Sequence, residues 1–150
     1  METIPLREIL AGIAEDLRAV SERHPVVVDC PEGLVLRGEA KAIRSAFSNL
    51  AFNALRHNPQ GCRIWLRARR SPEALVVEVV DDGVGIDPKH LPRLTERFYR
   101  ADESRASTTG GSGLGLAIAK HALLRHGGSL EIESTPGKGA TFRCRFPAPA

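Results

Sequence analysis

Between Asn49 and Gly115 the sequence sets out four groups of residues whose types and spacing could do chemistry. Asn49 and Asn53 stand four apart with Arg56 and His57 just beyond, so on a helix all four occupy neighbouring positions of one face. Asparagine is a poor residue for a helix interior, because its amide competes for backbone hydrogen bonds. Two of them beside a cation suit carboxamide oxygens aimed at a metal or a phosphate, and Mg2+ takes hard oxygen ligands while keeping waters and phosphates in its shell. Taken alone, the same pattern also describes a polar helix face in solvent. "VVDDGVGID" ends a valine-rich run on Asp81, with Gly83 and Gly85 two apart. A carboxylate there could accept a hydrogen bond from an exocyclic amine while the glycines let a ligand approach the backbone; a plain Asp-Gly turn is the alternative. "ERFYRADESRAS" gathers Arg97, Arg100 and Arg105 with aromatics and few aliphatics. Such a loop either supplies arginines to a transferring phosphoryl group or is simply solvated charge. Last, "TGGSGLGLAIAKH" (109–121) places four glycines ahead of an Ala/Leu/Ile-rich helical run. Glycine in a helix costs about 1 kcal/mol relative to alanine. A Gly-rich loop entering a helix offsets that cost by presenting N–H groups and a positive dipole end to phosphate.

The elements that must position these groups follow from the hydrophobic periods. Leu6, Ile9, Leu10, Ile13, Leu17 and Val20 predict a helix over 5–22, and Ile43, Phe47, Leu50 and Ala54 one over 39–57 that ends before Pro59. "PVVVD" (25–29) and "LVL" (34–36) predict short strands around a Pro31–Gly33 turn. "CRIWLRARR" alternates strictly, with Ile64, Leu66 and Ala68 on one side and Arg63, Trp65, Arg67 and Arg69 on the other; "ALVVEVVD" predicts its neighbour. A short helix is expected near 88–96, an irregular polar stretch over 99–112, and a helix from 113 to about 126 closed by Gly127 and Gly128. "SLEIEST" and "ATFRCRFP" form a closing hairpin around Pro136–Gly139. With no internal repeat and no long linker, residues 1–150 read as a single domain: a two-layer α/β sandwich with a mixed sheet of about five strands and three main helices.

Bulk properties narrow the class. Hydrophobic residues make up 42% and charged residues 26%. No apolar run approaches the roughly 20 residues a membrane span needs, and no signal-peptide pattern opens the chain. Cys30, Cys62 and Cys144 are odd in number and far apart, so they read as buried reduced thiols rather than a disulfide or metal set. A net charge of +3 is too small to identify an anionic partner. Arg63, Arg67, Arg69 and Arg70 around Trp65 could suggest nucleic acid, but Glu73 and Glu78 follow closely and a solvated sheet edge is the better reading. There is no GxxxxGK[ST], and the Gly-rich loop follows a polar stretch instead of a strand, so neither a P-loop nor a dinucleotide fingerprint fits.

In this order the motifs resemble the catalytic ATP-binding domain of bacterial sensor histidine kinases, within the Bergerat-fold ATPase superfamily. "NLAFNALRHNP" resembles the N box, "DDGVGID" the first Gly box, "TERFYR" the F box and "GGSGLGLAIAK" the second Gly box. "LPRLTERFYRADESR" and "GKGATFRCRFP" further resemble the phosphate-regulon branch of these kinases. The resemblance implies ATP and Mg2+ as cofactors. It makes Asn53 the metal ligand with Asn49 beside it, and places Arg56 where a phosphate-contacting lysine is usual. His57 stands where a tyrosine often lies against the nucleotide. Asp81 would bind the adenine amine, with Gly83 and Gly85 shaping the pocket and Thr141 backing Asp81 through its hydroxyl. Gly111, Gly113 and Gly115, with Leu114 and Leu116 between them, would bring backbone N–H groups to the phosphates. Arg97 and Arg100 would join Arg56 in stabilising phosphoryl transfer, and 99–112 would form a mobile lid. Thr95 departs from the phenylalanine common at the start of the F box.

The family phosphorylates a histidine followed by an acidic residue and, shortly after, an Arg/Lys-Thr/Ser-Pro run. None of His24, His57, His90, His121 or His126 has that context, and His121 and His126, five apart, read as helix surface. The resemblance therefore implies a catalytic domain from a larger inner-membrane sensor, itself cytoplasmic and without direct membrane or nucleic-acid contact. Its partner would be a histidine-bearing dimerisation domain, with a response regulator downstream. ATP-hydrolysing relatives and anti-sigma serine kinases carry a general-base glutamate where this chain has Asn49, so slow hydrolysis and transfer to a partner are expected.

Overall fold

The computed structural model describes residues 1–96 and 114–147. The expected lid over 99–112, with Arg97, Arg100, Arg105, Gly111 and Gly113, lies outside the described residues. Among the described residues the chain runs β1 (Glu2–Pro5), α1 (Leu6–Val20), β2 (Val26–Asp29), β3 (Val35–Gly38), α2 (Ala40–His57), β4 (Ile64–Arg70) and β5 (Ala74–Asp81). A 3-10 turn (Leu91–Arg93), α3 (Gly115–Arg125), β6 (Ser129–Ser134) and β7 (Ala140–Pro147) follow. Five strands make one mixed sheet in the order β2-β4-β5-β7-β6, with β2 parallel to β4 and the other pairs antiparallel. The parallel pair is possible because α2 lies in the crossover between β2 and β4.

The periods explain the layers. Leu6, Leu10, Ile13, Ala14 and Leu17 line the buried stripe of α1, and Ile43, Ala46, Phe47, Leu50, Ala51 and Ala54 that of α2. They pack on the inward residues of the sheet, Ile64, Leu66, Val77, Val79 and Phe142, to form one core. Phe47 meets Phe146 edge-to-face at 6.4 Å. This is the expected two-layer α/β sandwich. No helix among the described residues is long and apolar enough to cross a membrane.

Several expectations are corrected. The strands flanking Pro31–Gly33 do not pair with each other: β2 joins the large sheet, while β3 pairs with β1, an N-terminal strand the sequence pattern did not predict. The helix expected over 88–96 shrinks to the 3-10 turn, because Pro92 sits within it and removes a donor while restricting the preceding residue. β4 is an interior strand, so its arginine row lies on the open face of the sheet and not on an edge. There Arg63 and Arg67 stack on Trp65 at 5.9 and 5.4 Å, and the buried Glu78 accepts hydrogen bonds from Arg69 at 2.7 Å and Arg143 at 2.8 Å. His126 is no plain surface residue. Its Nδ1 donates to the Ala122 carbonyl at 2.7 Å and its Nε2 accepts the Glu39 N–H at 3.1 Å, tying the end of α3 to the start of α2. All three cysteines are free, with Cys30 and Cys144 buried and Cys62 half-buried.

Candidate functional site

The last three turns of α2 carry Asn49, Asn53, Arg56 and His57, all half-buried, beside the fully buried Leu50 and Ala54. The helical period that sinks the apolar residues into the core leaves this polar strip at the margin of the layer. α3 lies against it. A Cβ added at Gly115 would stand 3.2 Å from the Asn49 Oδ1, so the first residue of α3 meets the asparagine face at close range. Leu114 is half-buried, whereas Leu116 faces the core and takes no part in the polar strip.

β5 delivers Asp81 to the end of a central strand, where it is 5% exposed. Its Oδ1 accepts the Gly83 N–H at 2.9 Å. Burial pushes the Asp81 carboxyl above its usual range, and the Gly83 N–H, nearby His57, the Ala140 N–H and the Asn58 side chain each partly offset that. The 83–86 turn is then clamped from two sides. From the end of α2, His57 Nε2 donates to the Gly85 carbonyl at 3.0 Å and Asn58 Oδ1 accepts the Val84 N–H at 2.9 Å. From the β6–β7 turn, Gly137 donates to the Val84 carbonyl at 2.7 Å and Ser134 Oγ accepts the Ile86 N–H at 2.7 Å. Gly85 has φ +75° with the Thr135 carbonyl where a Cβ would lie, so no other residue fits.

Thus the fold brings Asn49, Asn53, Arg56, His57, Asp81, Gly83, Gly85 and Gly115 to one end of the sandwich. Thr141 reaches the same end of the sheet beside Asp81, one register position away. It pairs with Val80, while Asp81 pairs with Ala140, and cross-strand partners share a face. Strand alternation therefore turns its side chain to the other face of the sheet from that of Asp81, although both residues line one cleft of about 210 Å³ at the strand ends, with Val80, Glu133 and Lys138. Asn58 was missed. It reads as the loop residue of an Asn-Pro pair, and the one available signal was its place directly after the last helical residue. Thr95, half-buried, receives a long 3.5 Å contact from Lys120 Nζ.

The arrangement offers oxygen ligands, cations and fixed backbone donors; its two groups able to take up a proton, His57 and Asp81, are both tied by hydrogen bonds to the 83–85 turn. Cys62 nearby is held as a neutral thiol, pushed up to about 12 by burial and by Asp81 and Asp82.

Residues 38–150 match the family described as the histidine kinase-, DNA gyrase B-, and HSP90-like ATPases. The chain is 52% identical over 144 residues to the phosphate regulon sensor protein PhoR of Pseudomonas aeruginosa, an alignment covering 95% of this chain and 32% of the relative. It is 48% identical to the protein of the same name from Haemophilus influenzae, over 83% of this chain and 29% of that one. The chain thus spans about a third of the length of these curated relatives. Among solved structures, a mycobacterial sensor histidine kinase MprB superposes with a TM-score of 0.83 at 26% identity, covering 97% of this chain and 96% of that one.

Proposed function

Because the chain belongs to the histidine kinase-, DNA gyrase B-, and HSP90-like ATPase family, we propose that it is the catalytic domain of a longer sensor kinase. In this reading it binds ATP with Mg2+ and transfers the γ-phosphoryl group to a histidine on a separate dimerisation domain, in phosphate-starvation signalling. The likeness to the two PhoR proteins supports the choice of branch. The observation that carries the reading is Asp81: a buried carboxylate at a strand end, locked by a backbone N–H, at the same end of the sandwich as the asparagine face of α2 and the start of α3.

Each residue then has a physical task. Asp81 accepts the exocyclic amine of the base, and Gly83 and Gly85 shape the pocket by letting the turn close against Asn58 and the Thr135 carbonyl. His57 is fixed by the Gly85 carbonyl and lines the base or ribose. Asn53, with Asn49 beside it, would hold Mg2+. The fit is in the donor chemistry: neutral amide oxygens are hard ligands, and among the described residues no group of three or more His, Cys, Asp or Glu could cage a metal without the phosphates. When bound, the ion neutralises phosphate charge. Gly115, with Gly111 and Gly113 outside the described residues, supplies the dipole end and N–H groups of α3. Arg56, and from the sequence Arg97 and Arg100, add positive charge where the transferring group carries negative charge.

Phosphoryl transfer asks for positioning and charge more than for covalent chemistry by the protein. Asn49 cannot act as a general base, so the isolated chain should hydrolyse ATP slowly. The test is to mix the chain with ATP, Mg2+ and a histidine-bearing dimerisation domain and measure acid-labile phosphoprotein. Transfer that falls about 10³-fold in Arg97→Ala or Arg100→Ala supports the assignment. Brisk hydrolysis by the chain alone, with no transfer, would move it to the ATP-hydrolysing branch of the family.

A further inference from the structure

Asn58 follows α2 directly and is 2% exposed, a depth at which every polar atom needs a partner. Its Nδ2 donates to the Ala54 carbonyl at 2.8 Å, its Oδ1 accepts the Val84 N–H at 2.9 Å, and its amide also donates toward the Asp81 carboxylate. Its own carbonyl accepts the Gly61 N–H at 2.9 Å and faces His24 Nε2 at 2.6 Å, while His24 Nδ1 bonds Ser21 Oγ at 2.5 Å. One residue is thus fixed to α2, to the loop after α1 and to the loop before β4. A Cβ at Gly83 would fall on the Asn58 amide, so the side chain also dictates which residue can stand in the turn.

Both amide hydrogens are committed, to Ala54 and to Asp81, and the oxygen of this 2% exposed residue is turned to the Val84 N–H. The side chain can act only through what it holds, and it holds both ends of the Asp81–Val84 turn. We propose that Asn58 is a positioning residue that aims the Asp81 carboxylate at the 6-amino group of the base. It thereby sets the preference for adenine over a purine with a carbonyl at that position. This rests on the nucleotide reading above. Only a side chain with both an acceptor and a two-hydrogen donor meets the demands of Val84, Ala54 and Asp81 together. Aspartate keeps the shape and the acceptor but has no donor, and it puts a second carboxylate against the first. That favours a protonated Asp81, which would donate to a carbonyl instead of accepting from an amine.

The experiment compares calorimetric affinities for ATP and for ITP, which has a carbonyl in place of the 6-amino group, using the whole chain with Mg2+. Wild type should favour ATP by about tenfold or more, the effect of one hydrogen bond to a charged group. Asn58→Ala should bring the ratio close to one with the ITP affinity nearly unchanged, and Asn58→Asp should bring it to one or below. The aspartate variant retains the shape of the side chain and serves if the alanine variant does not fold. An ATP preference that persists in a folded variant overturns the proposal and leaves the nucleotide reading standing. Equal weakening of both nucleotides, the mark of a residue with no role in aiming Asp81, also overturns it. A wild type that does not separate ATP from ITP overturns both readings.

Discussion

Asp81→Asn should separate binding from folding, and the structure fixes the direction of each effect. The carboxylate is 5% exposed, and burial is the largest influence on its ionisation, raising it above the usual carboxylate range. Folding with a charged Asp81 at pH 7 therefore carries a desolvation cost that a neutral amide avoids. The amide oxygen can still accept the Gly83 N–H, but its NH2 group faces donors from Asn58 and Ala140 and loses those bonds. The two changes oppose each other, so unfolding free energy at pH 7 should move by no more than about 1 kcal/mol. Nucleotide binding has no such compensation. Losing the charged acceptor for an exocyclic amine removes about 1.5–3 kcal/mol, or roughly 10- to 150-fold in Kd. The pH dependence gives a second readout. Because the folded carboxyl titrates at higher pH than the unfolded one, near 3.9, the folded state binds more protons across the window between them. The Asp81 contribution to stability is thus greatest below that window and is lost as pH rises through it. Asp81→Asn removes this slope, so its stability relative to wild type should improve from about pH 4 upward. Calorimetry with ADP and urea midpoints over a pH series measure both effects. Unchanged affinity, or a stability loss as large as the binding loss, would refute the reasoning.

Three further outcomes are expected. Gly85→Ala should destabilise by at least about 2 kcal/mol, since an alanine is strained at φ +75° and its Cβ meets the Thr135 carbonyl; thermal unfolding reads it. Gly12→Ala should stabilise by about 0.5 kcal/mol, because the group in its way is the mobile end of Arg44, whose exposed pairing with Asp16 contributes little. A lowered urea midpoint would show that Arg44 cannot move aside. Glu78→Ala should cost about 1.5 kcal/mol, the loss of charged hydrogen bonds, because Arg143 keeps Glu133 at 2.7 Å, whereas Arg69→Ala, at the exposed end, should cost under about 1 kcal/mol.

What the sequence by itself determined is what rests on local periodicity and local stereochemistry. The stripe from Ile43 to Ala54 makes α2, the alternation from Ile64 to Ala68 makes β4, and Pro136–Gly139 turns β6 into β7. In each, which face is buried follows from spacing of 3.6 or 2 residues, whatever the partner. The strip of Asn49, Asn53, Arg56 and His57 was legible for the same reason. Tertiary structure alone decided everything that depends on which segments meet. β1 has a single buried residue, Ile4, and becomes a strand only because β3 is there to pair with it. Adjacent β2 and β3 part into different sheets because β2 finds β4 across the α2 crossover. Thr141 and Ala140 are one residue apart, yet a register slip of one exchanges the two faces of a strand, so the pairing of Asp81 with Ala140 fixes which of them shares its side. Asn58 is the clearest case: in sequence it is a loop residue before a proline, and it becomes the hub of the Asp81 turn only when folding brings Gly83 and Val84 against it, some 25 residues on. Hydrogen bonds of that span leave no local pattern, because nothing about either segment alone requires the other.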